Sequence, residues 1–150
     1  MADDPAGLNP YAAPAADLAP RVLGTRAPAG LRITAGVVLL LDALFNLAAG
    51  VGIVAIAQMW SEVPATILLF GFFLCLVAAT SIAAAVFLFR AKRSGFVLLT
   101  GLLVGATEVA RNLLTSRVDL MTATGLVAAL LAVISAVSTL NREALARRAA

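Results

Sequence analysis

Histidine is absent from this 150-residue chain, and cysteine occurs once, at Cys75. One thiol cannot close an internal disulfide, and without imidazole neither the common zinc sets nor a histidine-held haem can be assembled within one chain. No metal and no cofactor is therefore expected, and Cys75 reads as a small packing residue. The same shortage bears on catalysis. With no histidine to act as a base and few ionisable groups inside its apolar runs, the chain offers no catalytic residues and does not read as an enzyme. Charge is scarce too: 13% of residues are charged and 62% hydrophobic, whereas soluble domains carry about 25% and about 45–50%. The net charge is only +3, with basic residues in short clusters beside apolar runs rather than in one patch, so no nucleic-acid partner is expected. The partner this composition demands is the lipid bilayer.

Proline is confined almost entirely to one end. Pro5, Pro10, Pro14, Pro20 and Pro28 stand among alanines in residues 1–32, a stretch that cannot bury enough apolar surface to offset its ordering entropy and is expected to be a disordered tail. It opens with Asp3 and Asp4 and has no apolar h-region, unlike a cleaved signal peptide.

Beyond Arg32 come four apolar segments, 33–57, 65–89, 96–114 and 120–140, each near the ~20 residues a spanning helix needs. Lipid offers no partners for backbone groups, and none of the four alternates with the period of two of a barrel strand. The expected fold is all-α: an integral membrane four-helix up-and-down bundle, followed by a short basic segment at 141–150. In QMWSEVP, Ser61 is placed to cap the second helix, Pro64 to lie in its first turn and Trp60 to sit at an interface. RAKRSG forms the second link, and Ser116-x-x-Asp119 fits a capping box before the fourth helix. Nine of the eleven Lys and Arg residues lie beside the two ends and the second link; Arg111 and Arg117 lie on or near the other side. The positive-inside rule then puts both termini in the cytoplasm.

Helices in lipid associate where small residues let backbones approach and polar groups bond across. Gly71, Cys75, Ala79 and Ala83 recur every four residues in the second segment, Gly101 and Gly105 mark the third, and Ala128, Ala132 and Ala136 the fourth. Asp42 and Asn46 lie one turn apart in VVLLLDALFNLAAG, on a stripe with Ala35 and Ala49, while Glu108 and Asn112 share a stripe with Gly101 and Gly105. Both stripes are expected to face inward. Counting depth at 1.5 Å per residue pairs Asp42 with Thr80 or Ser81, and Asn46 with Glu108 or Thr107, with Arg111 three residues from Glu108 and able to reach down toward Asn46 and Asp42. The bilayer tolerates the acid. An aspartate at a helix centre costs ~2.5–3.5 kcal/mol, and the thirteen Leu, Ile, Val and Phe residues between Ile33 and Ile56 together return roughly 4–8 kcal/mol.

Two resemblances bear on this reading. Residues 9–18, NPYAAPAADL, resemble the Asn-Pro-Tyr-x-x-Pro opening before the first span of many small bacterial inner-membrane proteins of uncharacterised activity, which implies the same membrane. A four-helix chain with an acid in its first helix is also similar in architecture to the small multidrug-resistance exporters. They lack such a tail, and LLLDALFN shares no further motif with them, so none of their site residues is carried over. The expected role is non-catalytic: an accessory, assembly or regulatory component acting through helix faces, on other membrane proteins or on further copies of itself. Asp42 and Asn46 would then form a hydrogen-bonded seam. The alternative is a small proton- or cation-coupled transporter or channel component using Asp42.

Overall fold

The computed structural model describes residues 26–60, 63–115 and 119–149. It is built of four helices: α1 (Ala29–Met59), α2 (Ala65–Phe89), α3 (Ser94–Thr115) and α4 (Leu120–Ala149). All four are long and apolar enough to cross a membrane, so this is a multi-pass membrane protein. Mean hydropathy is 2.3 or above in α1, α2 and α4 and drops to 1.4 in α3, which carries Glu108, Arg111 and Asn112.

The second span has the expected bounds, and the others run on. α1 starts at Ala29 rather than residue 33, because the extended backbone of Pro28 ends the chain before it and Arg32 N–H donates to Pro28 O. α4 continues nine residues past 140 into Arg142, Glu143, Arg147 and Arg148, so its polar last turns leave the apolar span. At about 46 Å the 31 residues of α1 also exceed a ~30 Å hydrocarbon core. Residues 1–25 of the expected tail lie outside the described residues, as do Ser61 and Ser116. The segment just before α1 is docked: Ala27 N–H donates to Thr139 Oγ1 at 3.1 Å, and Arg142 Nη1 donates to Arg26 O at 3.2 Å.

Pro64 is the N-cap of α2, one residue before its first turn, where a missing N–H costs no helical hydrogen bond. The start of α4 differs from the expected capping box. Asp119 is itself the cap: its Oδ1 accepts Thr122 N–H at 2.7 Å, and its carbonyl accepts Ala123 N–H. α2 ends in a Schellman-type turn, with Lys92 N–H donating to Phe87 O and Ala91 at φ 50° where glycine is usual.

The helices stand around a square, α1 against α2, α2 against α3, α3 against α4 and α4 against α1; the backbones of the diagonal pairs stay apart. The closest crossings are made by small residues. A Cβ on Gly50 would stand 2.7 Å from the carbonyl oxygen of Gly71 and from Cys75 Sγ, so α1 and α2 touch backbone to backbone. One on Gly101 would stand 3.1 Å from Ala132 Cβ and 3.2 Å from Ala129 O, which sets α3 on α4. The interior is accordingly filled by alanine with a few larger residues such as Leu39, Val77, Val97 and Val104, while Leu44, Phe72, Leu76, Leu99 and Leu130 point outward. A soluble bundle would reverse that distribution; an apolar solvent explains it.

One expected face turns away. Gly71 is buried, but Cys75 and Ala83 are half-buried and Ala79 is exposed. Residues four apart drift about 40° around a helix of 3.6 residues per turn, so a strict four-residue repeat leaves the contact within two or three steps. The buried face of α2 instead follows mixed spacings of three and four through Gly71, Leu74, Ala78, Ser81, Ala85 and Leu88.

Candidate functional site

The polar residues of the first and third segments do face inward. Asp42 and Asn46 on α1, Ser81 on α2 and Glu108 on α3 are all 0% exposed, and Thr122 on α4 is 1% exposed. Asn112, also expected on the α3 stripe, is only half-buried, and Thr80 likewise.

The expected cross-helix hydrogen bonds do not form. Asn46 Nδ2 donates to the carbonyl of Asp42 in its own helix at 3.1 Å. Thr80 Oγ1 donates back to Val77 O at 2.9 Å and Thr107 Oγ1 to Leu103 O at 2.8 Å, the local bonding by which hydroxyl residues compete with cross-helix partners. Ser81 Oγ is buried with no hydrogen-bond partner among the described residues.

What the bundle brings together instead is Asp42 and Glu108, from diagonally opposite helices. Gly125 of α4 makes room for them. A Cβ there would stand 2.5 Å from Glu108 Cγ, 2.7 Å from Glu108 Cδ and 2.8 Å from Asp42 Oδ1, so both side chains occupy the volume that any other residue at 125 would take. Among the described residues the Asp42 carboxylate takes no hydrogen bond from another helix, with only the Asn46 side chain of its own helix beside it, and Glu108 Oε1 has no partner.

Arg111 supplies the positive charge. Its Nη2 forms an ion pair with Glu108 Oε2, one turn away as the spacing predicts. The same nitrogen donates to Thr122 Oγ1 at 2.9 Å and lies 3.6 Å from Asp119 Oδ1. Glu108 is thus shut in, with its side chain 1% exposed, while Asp119 at 62% stands in the open, and Arg111 lies between the two. The amide and hydroxyl of Thr122, followed by the Arg111 guanidinium, hold the Asp119 carboxyl below the ordinary carboxylate range. Sequence reasoning missed the share of α4. Thr122 and Gly125, in MTATGLV, carried the available signal: a hydroxyl three residues before the lone glycine of the helix.

Chemically, two carboxyls and one guanidinium enclosed in lipid-facing walls can hold a proton or balance a charge. Among the described residues no three His, Cys, Asp or Glu side chains converge. Fold and site together define a multi-pass four-helix membrane protein with an enclosed charge cluster. Compared with family models, with curated proteins and with solved structures, the chain matches none.

Proposed function

We propose that this chain is a small proton-coupled transport protein of a bacterial inner membrane, with both termini cytoplasmic. In this reading Asp42 and Glu108 hold the exchangeable proton and Arg111 balances the remaining charge. The observation that carries it is the buried Asp42 carboxyl, which meets Glu108 beside Gly125 and takes no hydrogen bond from another helix among the described residues. A seam built only to fasten helices would engage the Ser81 hydroxyl, which is buried and has no such partner itself. Charge counting gives the chemistry. Two carboxylates and one guanidinium leave one negative charge over, which is costly in a lipid-enclosed interior. The trio is neutral when the carboxyl pair shares one proton, and such a proton belongs to the pair rather than to either residue. Asp119 is outside this count because its side chain stands in the open.

The orientation rests on the nine basic residues at the terminal end of the bundle, and the bacterial assignment on the NPYAAP opening. An accessory role acting through small-residue faces has less support, because Gly50, Gly71 and Gly101 are engaged between helices of this chain.

Infrared spectra of the protein in bilayers, stepped from acid to alkaline pH, test the charge count. The wild type should lose a protonated-carboxyl band during the titration. Asp42→Asn and Glu108→Gln should each lack the part of that band that lies at the high frequency of an enclosed, weakly hydrogen-bonded carboxyl, since either substitution leaves one carboxylate balanced by Arg111; the exposed carboxyls contribute equally to all three spectra. In proteoliposomes holding a pH gradient and an internal pH dye, a screen of solutes should find one that collapses the gradient through the wild type and not through Asp42→Asn. A gradient that no solute disturbs, with the chain recovered in a larger complex after gentle detergent extraction, would favour the accessory role instead.

A further inference from the structure

The acid pair lies off-centre in the bundle. Gly125, which both carboxyl groups adjoin, is about 8 Å along α4 from its first residue, Leu120, and about 26 Å from Arg142. On the long side, which carries both termini and the link between α2 and α3, residues 33–41, 82–89, 94–107 and 126–141 include no charged side chain. The interior there is filled by apolar groups such as Leu39, Ala84, Val97, Val104 and Ala132, each at most 1% exposed. Thr107, next to Glu108, turns its hydroxyl back to Leu103 O. The short side is polar at every step. Glu108 pairs with Arg111 Nη2, and the same nitrogen donates to Thr122 Oγ1 at 2.9 Å and lies 3.6 Å from Asp119 Oδ1. Side-chain exposure rises along that series, from 1% at Glu108 through 14% at Arg111 to 62% at Asp119.

We propose that in this conformation the carboxyl pair exchanges its proton only with water at the link between α3 and α4, and that Arg111 is the gate, its guanidinium passing from Glu108 to Asp119 as a proton enters. This deepens the shared-proton reading and rests on it. With one proton on the pair and Arg111 on Glu108, the interior is neutral. A second proton, taken from water at the link, binds the Glu108 carboxylate and leaves the guanidinium in excess; the Asp119 carboxylate, already 3.6 Å from Nη2, then balances it at the rim. Release of either proton to the same water returns Arg111 to the pair. α2 carries no charged residue, so Asp42, Glu108, Arg111 and Asp119 are the charged groups that face one another here. On the long side a proton would have to cross a close-packed, uncharged interior, where an isolated charge is very costly. Transport then needs a second conformation in which that apolar side parts.

The test reads charge displacement from each face. Right-side-out and inverted membrane vesicles are prepared from cells making the full chain with an N-terminal tag, and external protease, which removes the tag only where the terminal side faces out, assigns the orientation of each preparation. Adsorbed on a solid-supported membrane, the vesicles receive a step in external pH, and vesicles holding Glu108→Gln supply the background. With the α3–α4 link outward, the wild type should give a capacitive transient above that background as protons enter the bundle. With the terminal side outward the transient should be lost. Asp119→Ser keeps a hydroxyl cap on α4 but leaves the guanidinium no carboxylate at the rim, and it should slow the transient severalfold, an effect that a purely capping role does not produce. Transients of equal size from both faces, a transient from the terminal side alone, none from either face, or one whose speed Asp119→Ser leaves unchanged overturns the proposal. The enclosed-carboxyl band of the infrared titration is recorded without regard to side, so the gate can fail while the shared proton stands, and absence of that band would remove the reading on which the gate rests.

Discussion

Replacing Gly125 with alanine is the most direct perturbation of the charge cluster, because the added methyl would stand where the two carboxyl groups now meet. Its distances to Glu108 Cγ, Glu108 Cδ and Asp42 Oδ1 would be 2.5, 2.7 and 2.8 Å. Carbon contacts are most favourable at about 3.5–4.0 Å, so both side chains must withdraw by about 1 Å. Overpacking of this kind costs typically ~1–3 kcal/mol, and the better helix propensity of alanine returns about 1 kcal/mol. The net loss should be about 0–2 kcal/mol. Gly52 of α1 supplies the control, since a Cβ there meets nothing within 4 Å and Gly52→Ala should gain up to about 1 kcal/mol. Reversible unfolding in mixed detergent micelles, followed by helical circular dichroism, should therefore separate the two variants by about 1–3 kcal/mol. A cycle adds specificity: with Glu108→Ala in place the Gly125 methyl has room, and its penalty should shrink. If Gly125→Ala matches Gly52→Ala, or its cost is the same with and without the Glu108 side chain, the convergence of Asp42 and Glu108 beside Gly125 is wrong.

Two further outcomes follow from the same cluster. Arg111→Met removes the cation from two enclosed acids and should cost about 3–5 kcal/mol at neutral pH, the range for breaking a buried pair by deleting one partner; adding Glu108→Gln should recover much of that in the same unfolding assay. Asp119 caps α4 through a carboxylate held below its ordinary range, so its contribution is fully present above the normal aspartate range and is lost as the pH falls through the depressed folded-state value. Asp119→Ala should lower stability at neutral pH and flatten this acid dependence, whereas an unchanged acid limb would remove Asp119 from the cap.

The helices and the inward direction of Asp42, Asn46 and Glu108 could be read from periodicity alone, because spacing within one helix determines which side chains share a face. The Glu108–Arg111 pair was legible for the same reason. The meeting of Asp42 with Glu108 was not, since it depends on how α1, α3 and α4 rotate about their own axes, and apolar runs leave that rotation open. Depth counting gave Asp42 a hydroxyl partner on α2, but Thr80 bonds the carbonyl three residues before it and Ser81 stays unbonded among the described residues. The drift that turns Ala79 outward shows the same limit. A repeat of four marks a face only over a turn or two, and the interior of α2 had to be found from its mixed spacing.

The square of helices consists of two hairpins, α1 with α2 and α3 with α4, each drawn together at a glycine crossing. Asp42 belongs to the first hairpin, and its balancing Arg111 and its neighbour Glu108 belong to the second. During synthesis the acid therefore emerges roughly seventy residues before the cation, an interval of several seconds at about 5–20 residues per second. Throughout that wait the nascent first hairpin must keep Asp42 protonated or close to water.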